Sequence, residues 1–331
     1  MSRRADIDRA KGLAIVLVVF GHIVARQEPS HVVWYPALRR AIYGFHMPFF
    51  FYLSGLVAWL AGHATAPPAR WPALFGARVR RLLIPFGVMA FVITAGKLAA
   101  ARFIHVDNMP GGLVAGLVDV LWRPLASPAY SLWYLATLFL LSVATPPLFA
   151  ACGRRLWPVI GVFAAVQLAP LPWHLYLAEA GRYAIFFGAG LAAGALGDRW
   201  TGWIDHWRWP LLAVFAAGCT AIAADGGALP FNLRLLGLGL AAIPALHALV
   251  RISCLSSVRI VETIGRNSLM IYLFNTIFIG LAKGLLLLVT GWNGARFLPF
   301  AATLMSAGLI GPILLKQRVL RAIPVLDRMT E

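Results

Sequence analysis

Acidic side chains are scarce in this chain. Asp and Glu number 12 in 331 residues, against 29 Lys and Arg. Charged residues of both signs make up 12%, where a soluble domain carries about 25%. With so few charges a soluble surface cannot be built, and the low-hydropathy, high-charge signature of disorder is absent. Cysteine is scarce too. Cys152, Cys219 and Cys254 are scattered, with no metal-binding spacing and no evident disulfide partner, so they read as small buried hydrophobes. No internal repeat is visible, nor any polar stretch long enough for a soluble domain. A cleavable leader is not expected. Basic residues precede the first apolar run, but Arg26 and Glu28 follow it without a small-residue cleavage site.

Apolar residues, by contrast, make up 60% of the chain, and mean hydropathy is +0.79. That much apolar surface needs a lipid solvent, so the sequence predicts an all-α polytopic membrane protein forming one domain over 1–331. The net charge of +17 would suggest nucleic acid in a soluble protein; here it fits basic residues gathered at the cytoplasmic ends of membrane helices. Nucleic acid is therefore not an expected partner, whereas the bilayer is.

Ten apolar stretches are candidate spans: 11–27, 41–62, 82–101, 130–150, 156–171, 182–198, 208–224, 233–251, 264–283 and 295–315. The run 111–122 carries Asp119 and is too short to cross, so a re-entrant or interfacial helix is expected there. With the N-terminus inside, nineteen of the 29 basic residues fall in inside segments. This asymmetry predicts that both termini are cytoplasmic.

The first span holds a polar stripe. Lys11 and His22 are eleven residues apart, about 20° short of or beyond whole turns, so they share a face. Asp8, three residues before Lys11, joins it. The rise from Lys11 to His22 is about 16 Å. The stripe is expected to run from a cytoplasmic ion pair to a histidine in the outer half of the bilayer. Polar groups at that depth are costly and usually face a cavity. His46 is expected at a similar depth near the start of the second span, with Pro48 in that helix's first turn. Arg78 and Arg81 share a helix face and form a phosphate-binding candidate, although the same pair also suits a plain cytoplasmic anchor. Trp133 and Tyr134 open the fourth span as an interfacial belt. In the ninth, Arg266, Asn267 and Ser268 stand at the cytoplasmic mouth, and Glu262 is placed to pair with an arginine. Asn275 reaches the level of His22, with Tyr272 one turn below it on the same face. Alone, these residues define a polytopic protein with an intramembrane polar site, which an enzyme or a lipid-glycan flippase would each possess.

Five stretches, taken in order, resemble the acyltransferase 3 family of membrane acyltransferases, in particular its fucose 4-O-acetylase-like branch. They are Asp8, Lys11 and Gly12 with His22; residues 45–55, ending in Ser54 and Gly55; Arg78 and Arg81 before Pro85; Leu-Trp-Tyr-Leu at 132–135; and IGRNSLMIYL at 264–273. Two positions depart from the wider family, which often has Arg at Lys11 and His near Asn275.

The resemblance implies transfer of an acyl group, most simply acetyl, from cytoplasmic acyl-CoA to a hydroxyl of a cell-surface carbohydrate or glycolipid, in the inner membrane. It implies His22 as general base or acyl relay, with Lys11, Asp8 and His46 in the catalytic set. Arg78, Arg81, Asn267 and Ser268 are then expected to bind acyl-CoA, and Tyr272, Asn275, Trp133 or His46 to serve as oxyanion or acceptor contacts. No metal and no permanently bound cofactor are expected. The additional hydrolase-like periplasmic domain of some members is not seen, so the chain is expected to act alone, as an oligomer, or by passing its acyl group to a separate periplasmic protein.

Overall fold

The computed structural model describes residues 5–24, 31–102, 108–252, 259–291 and 294–319. Cys254, Arg3, Arg4, Arg26, Glu28, Arg321 and Arg328 lie outside the described residues. Among the described residues all regular structure is helical. The helices are α1 (Ala5–His22), α2 (Trp34–Leu60), α3 (Trp71–Arg78), α4 (Ile84–Ala100), α5 (Leu113–Trp122), α6 (Trp133–Ala151), α7 (Leu156–Leu168), α8 (Leu177–Leu196), α9 (Asp198–His206), α10 (Arg208–Ala224), α11 (Phe231–Leu249), α12 (Arg259–Arg266), α13 (Ser268–Val289) and α14 (Phe297–Arg318).

Every expected span coincides with a helix, but not every helix is long and apolar enough to cross a membrane. Six segments are: Trp34–Leu60, Pro68–Ala100, Tyr130–Ala151, Phe231–Leu249, Ser268–Val289 and Gly294–Arg318. A seventh is reached if α9 and α10, bent by 72°, count as one broken span. The shortfall from ten has identifiable causes. α1 packs Asp6, Asp8, Arg9 and Lys11 into its first two turns. α7 has only 13 residues, about 20 Å of helix against the roughly 30 Å of a hydrocarbon core. α8 carries Glu179 and Arg182 near its start. α5 is a 10-residue apolar helix, too short to span. α2 begins at Trp34, earlier than the sequence suggests, so Pro48 lies inside the helix rather than in its first turn. There it cannot donate to the Gly44 carbonyl.

The outward surface is apolar where a lipid-facing surface should be. Leu281, Leu285 and Leu288 on α13, spaced four and three apart, are all more exposed than buried. Ile84, Val88, Phe91 and Val92 on α4 are exposed as well.

The chain divides into two compact units, one from the residues up to Leu53 with those from Leu196 onward, the other from Ser54–Ala195. α2 contributes to both. In the first unit α1 packs backbone to backbone on α12. A Cβ on Gly12 would strike the Val261 carbonyl, and one on Gly265 would strike the Asp8 carbonyl. This explains why glycine stands at both positions, each within a stretch singled out in the sequence. α13 and α14 pack similarly closely, with Gly311 under the Phe278 ring. In the second unit Gly55 lets α2 touch the Phe187 carbonyl of α8. Buried Glu179 is neutralised by Arg182 at 3.1 Å and accepts a hydrogen bond from Tyr130 at 2.7 Å. A buried carboxylate needs such partners to offset its desolvation.

Candidate active site

α1 and α13 bring His22 and Asn275 together. His22 Nδ1 lies 2.8 Å from Asn275 Oδ1. The direction of the proton follows from the amide's other contacts. Asn275 Nδ2 donates to the carbonyls of Ile271, at 2.8 Å, and Tyr272, at 2.9 Å. Carbonyls only accept, so the NH₂ end must face them and Oδ1 must face the histidine. His22 therefore carries its proton on Nδ1, and Nε2 keeps its lone pair. Asn275 is fully buried while His22 is half-buried.

His46 is buried one turn beyond Tyr43 on α2, within electrostatic reach of His22. Its Nδ1 donates to the Ile42 carbonyl at 2.7 Å, which again leaves Nε2 as the unprotonated nitrogen. The Tyr43 ring packs 5.2 Å from the His46 ring, and its hydroxyl donates to the Gly21 carbonyl at 2.8 Å. Tyr43 thus ties α2 to the turn that presents His22. A Cβ on Gly21 would meet the Tyr43 ring at 2.7 Å, so the glycine preceding His22 is there for this contact.

These bonds occupy the N–H groups of two expected site residues. Both N–H groups of Asn275 are committed to carbonyls, and so is the single N–H of neutral His46. Asn275 Oδ1 fixes the orientation of the His22 ring. Tyr272 supplies its carbonyl to this arrangement.

At the opposite end of α1, Asp8 lies 3.7 Å from Arg266 on α12, an ion pair the sequence reading did not include. Arg266 also pairs with Glu262, as the sequence allowed. Lys11 is half-buried, a little over a turn along from Asp6. Asn267 forms the break between α12 and α13, where its amide donates to the Thr263 carbonyl at 2.9 Å and Ser268 starts the next helix.

A second buried polar centre in the first unit escaped the sequence reading. Trp200 Nε1 donates to the Tyr52 hydroxyl at 2.9 Å, and Tyr52 lies 2.5 Å from His247 Nδ1. Trp200 Nε1 also donates to His247 Nδ1 at 3.2 Å, so Nδ1 is an acceptor, the Tyr52 proton points to it and the His247 proton sits on Nε2. That nitrogen faces Asp6 at 3.8 Å. Asp6 pairs with Arg251 at 3.4 Å, and Arg251 pairs with Asp205 at 2.6 Å. The available signal was His247 itself, a lone imidazole in the apolar run of α11.

In the second unit, three of the resembling stretches meet. Ser54 is 2.7 Å from the Tyr134 hydroxyl, and Tyr134 lies within electrostatic reach of Arg81. Arg78 donates a hydrogen bond to His63 Nδ1. A π-type turn over Val79–Leu83 widens the helix between Arg78 and the apolar run of α4. Such turns recur at functional sites. Burial, together with the Arg78 and Arg81 guanidiniums, holds His63 below the usual imidazole value. His63 is thus neutral and accepts from Arg78, a partnership absent from the sequence reading. Trp133 packs 4.9 Å from the Tyr183 ring. No cluster suited to a metal ion occurs among the described residues.

Six helical segments long and apolar enough to cross a membrane, together with a histidine whose ring is oriented by an asparagine, are the features of a membrane protein with a buried polar site. The acyltransferase-domain family profile matches residues 4–316, nearly the whole chain, and the protein belongs to that family. It is also similar to the nodulation protein NolL of Sinorhizobium fredii (strain NBRC 101917 / NGR234), 31% identical over 222 residues. That match covers 66% of this chain and 56% of NolL, so the chain spans little more than half of that relative's length. No solved structure matches it.

Proposed function

We propose that the protein is an integral membrane O-acyltransferase that moves an acyl group, acetyl foremost, from cytoplasmic acyl-CoA to a hydroxyl of a cell-surface carbohydrate or glycolipid. The observation that carries this reading is the His22–Asn275 pair, in a chain of an acyltransferase family. Asn275 holds the imidazole with Nε2 basic, the tautomer a general base needs. In the reaction the acceptor hydroxyl gives its proton to His22 Nε2 as its oxygen attacks the thioester carbonyl. The tetrahedral intermediate then expels the CoA thiolate, which takes up the proton. General-base help of this kind contributes about 10²–10⁴ in rate.

His46 shapes the same site from α2. Asp8 and Lys11 keep the base of α1 charged and fixed against α12. The phosphates of CoA fall to Arg78 and Arg81, whose guanidiniums suit bidentate pairing with phosphate oxygens. Asn267 and Ser268 contribute to the donor side, and Trp133 and Tyr272 to acceptor or intermediate contacts. An inner-membrane location with cytoplasmic termini fits a cytoplasmic donor.

Purified protein in liposomes, supplied with isotopically labelled acetyl-CoA and an extract of surface glycan, tests this directly. Label transfer by the wild type that vanishes in His22→Ala is expected. Folded protein that neither binds nor turns over acyl-CoA would sink the proposal and return the polar stripe to a transport path.

A further inference from the structure

The first unit contains a cavity of about 290 Å³ between the beginnings of α2 and α11, which the reaction outlined above does not use. Three arginines line it: Arg39 and Arg40 from α2, and Arg234 from α11. Tyr43, Gly44 and Phe231 complete most of the wall. Such a concentration of positive charge in one small hollow is costly without an anion. None of the ion pairs formed among the described residues involves these arginines. The Nε–H groups of Arg39 and Arg234 are buried without a hydrogen-bond partner among the described residues. Their guanidiniums are steered by aromatic rings instead, Arg39 at 5.0 Å over Tyr43 and Arg234 at 6.0 Å over Phe231. Arg40 donates one bond to the Ala223 carbonyl at 3.3 Å. The acid in the nearby turn, Asp225, accepts from the Gly227 and Leu229 N–H groups at 3.1–3.2 Å and so is spent on its own loop.

The cavity adjoins the histidines. Arg39, Tyr43 and His46 follow one another at spacings of four and three along α2, on one face. The rise from Arg39 to His46 is about 10 Å. Tyr43 belongs to both places, since it lines the cavity, packs on His46 and bonds to the residue before His22. Arg39 is also within electrostatic reach of His22. Ten ångströms is a distance that one saccharide and its linkage can bridge, so an anion held by the arginines and a hydroxyl beside His46 can belong to one molecule.

We infer that this cavity binds a phosphate group of the acyl acceptor, so that the substrate is a phosphate-linked glycan or glycolipid rather than a neutral sugar. The inference rests on the acyltransferase reading for its word acceptor, but not for the anion site itself. Three guanidinium forks match the several oxygens and high charge of a phosphate diester or diphosphate better than a single carboxylate.

Binding, measured apart from turnover, is the test. Full-length protein in nanodiscs of uncharged phosphatidylcholine would be titrated with a short-chain polyprenyl diphosphate-linked monosaccharide, and with the uncharged alkyl glycoside of the same sugar. The expected result is at least tenfold tighter binding of the diphosphate. That preference should shrink with added salt and disappear in an Arg39→Gln/Arg234→Gln variant that elutes as folded protein. Equal affinity for the two ligands, or an unchanged preference in the variant, would overturn the inference. A second arm replaces part of the lipid with phosphatidylglycerol. If arginine-dependent thermal stabilisation appears with that lipid while the diphosphate ligand shows no preference, the site holds a membrane headgroup and the acceptor assignment is lost. His22→Ala separates the two proposals, since it should keep the diphosphate preference. Should the wild type bind the diphosphate but transfer no acyl group, the anion site stands and the enzymatic reading falls.

Discussion

Two histidines of the first unit, His22 on α1 and His247 on α11, hold their protons in opposite places. Asn275 accepts from His22 Nδ1 and leaves Nε2 bare on a half-buried ring. Tyr52 donates to His247 Nδ1, and Nε2–H faces Asp6 on a ring that is 1% exposed. One imidazole keeps a lone pair on Nε2; the other accepts at Nδ1 and turns its Nε2–H toward Asp6, 3.8 Å away. Under the proposed reaction, the difference separates a site for proton transfer from a clamp. It shows that finding a histidine at membrane depth does not identify a base until its partners fix the tautomer.

The contrast breaks most sharply at His22. Replacing it with alanine should lower kcat/KM for acyl transfer about 10²–10⁴-fold, with thermal unfolding nearly unmoved, as read by a labelled-acetyl assay beside a melting curve. A comparable loss of kcat/KM in His247→Ala, at unchanged stability, would erase the distinction. Next comes Asn275→Ala, which leaves the base in place but releases its tautomer. A fall in kcat of about 10–100-fold is expected, smaller than for His22, because a group that only orients the base contributes less than the base itself.

On the clamp side, Asp6→Ala removes the carboxylate that Arg251 and His247 share, and should destabilise the protein by about 2 kcal/mol. Its kcat, measured on the folded fraction, should stay within about twofold of wild type. A large drop in kcat without a drop in melting temperature would make this centre part of the chemistry.

The smallest effect concerns His63. Its folded value lies below the usual imidazole range because of burial and of Arg78 and Arg81, so it is neutral at neutral pH. An anion at those arginines removes that repulsion and raises the His63 value, so by linkage protonation of His63 must strengthen anion binding. Affinity for CoA should thus rise a few-fold as pH falls below about 6.5, the unperturbed imidazole value. In His63→Gln the slope should flatten. An affinity that falls with pH in the wild type would place the CoA phosphates elsewhere.

Much of this arrangement was legible in advance. A rise of 1.5 Å per residue is enough to put His22 and Asn275 at one level, and the structure joins them. The pairing of Glu262 with an arginine was also readable, because partners four apart on a helix are local. The partners of Asp8 were not. Arg266 lies far along the chain, and only the glycine-to-backbone contact of α1 with α12 brings it near. Nor did hydropathy foresee that α2 would start at Trp34 and carry Tyr43 and Arg39 into reach of the histidines. Arg39 and Arg40 read as a boundary between spans, whereas the helix continues through them.

The sequence by itself determined an all-helical protein of this family with several helices apolar enough to cross a membrane, because composition, hydrophobic run length and helical pitch act locally along the chain. Only the tertiary structure decided which nitrogen of His22 carries the proton, that Asn275 accepts its hydrogen bond, and that three arginines share one cavity with Tyr43. Those outcomes depend on which groups distant helices bring within hydrogen-bonding distance, and a one-dimensional pattern does not contain that distance.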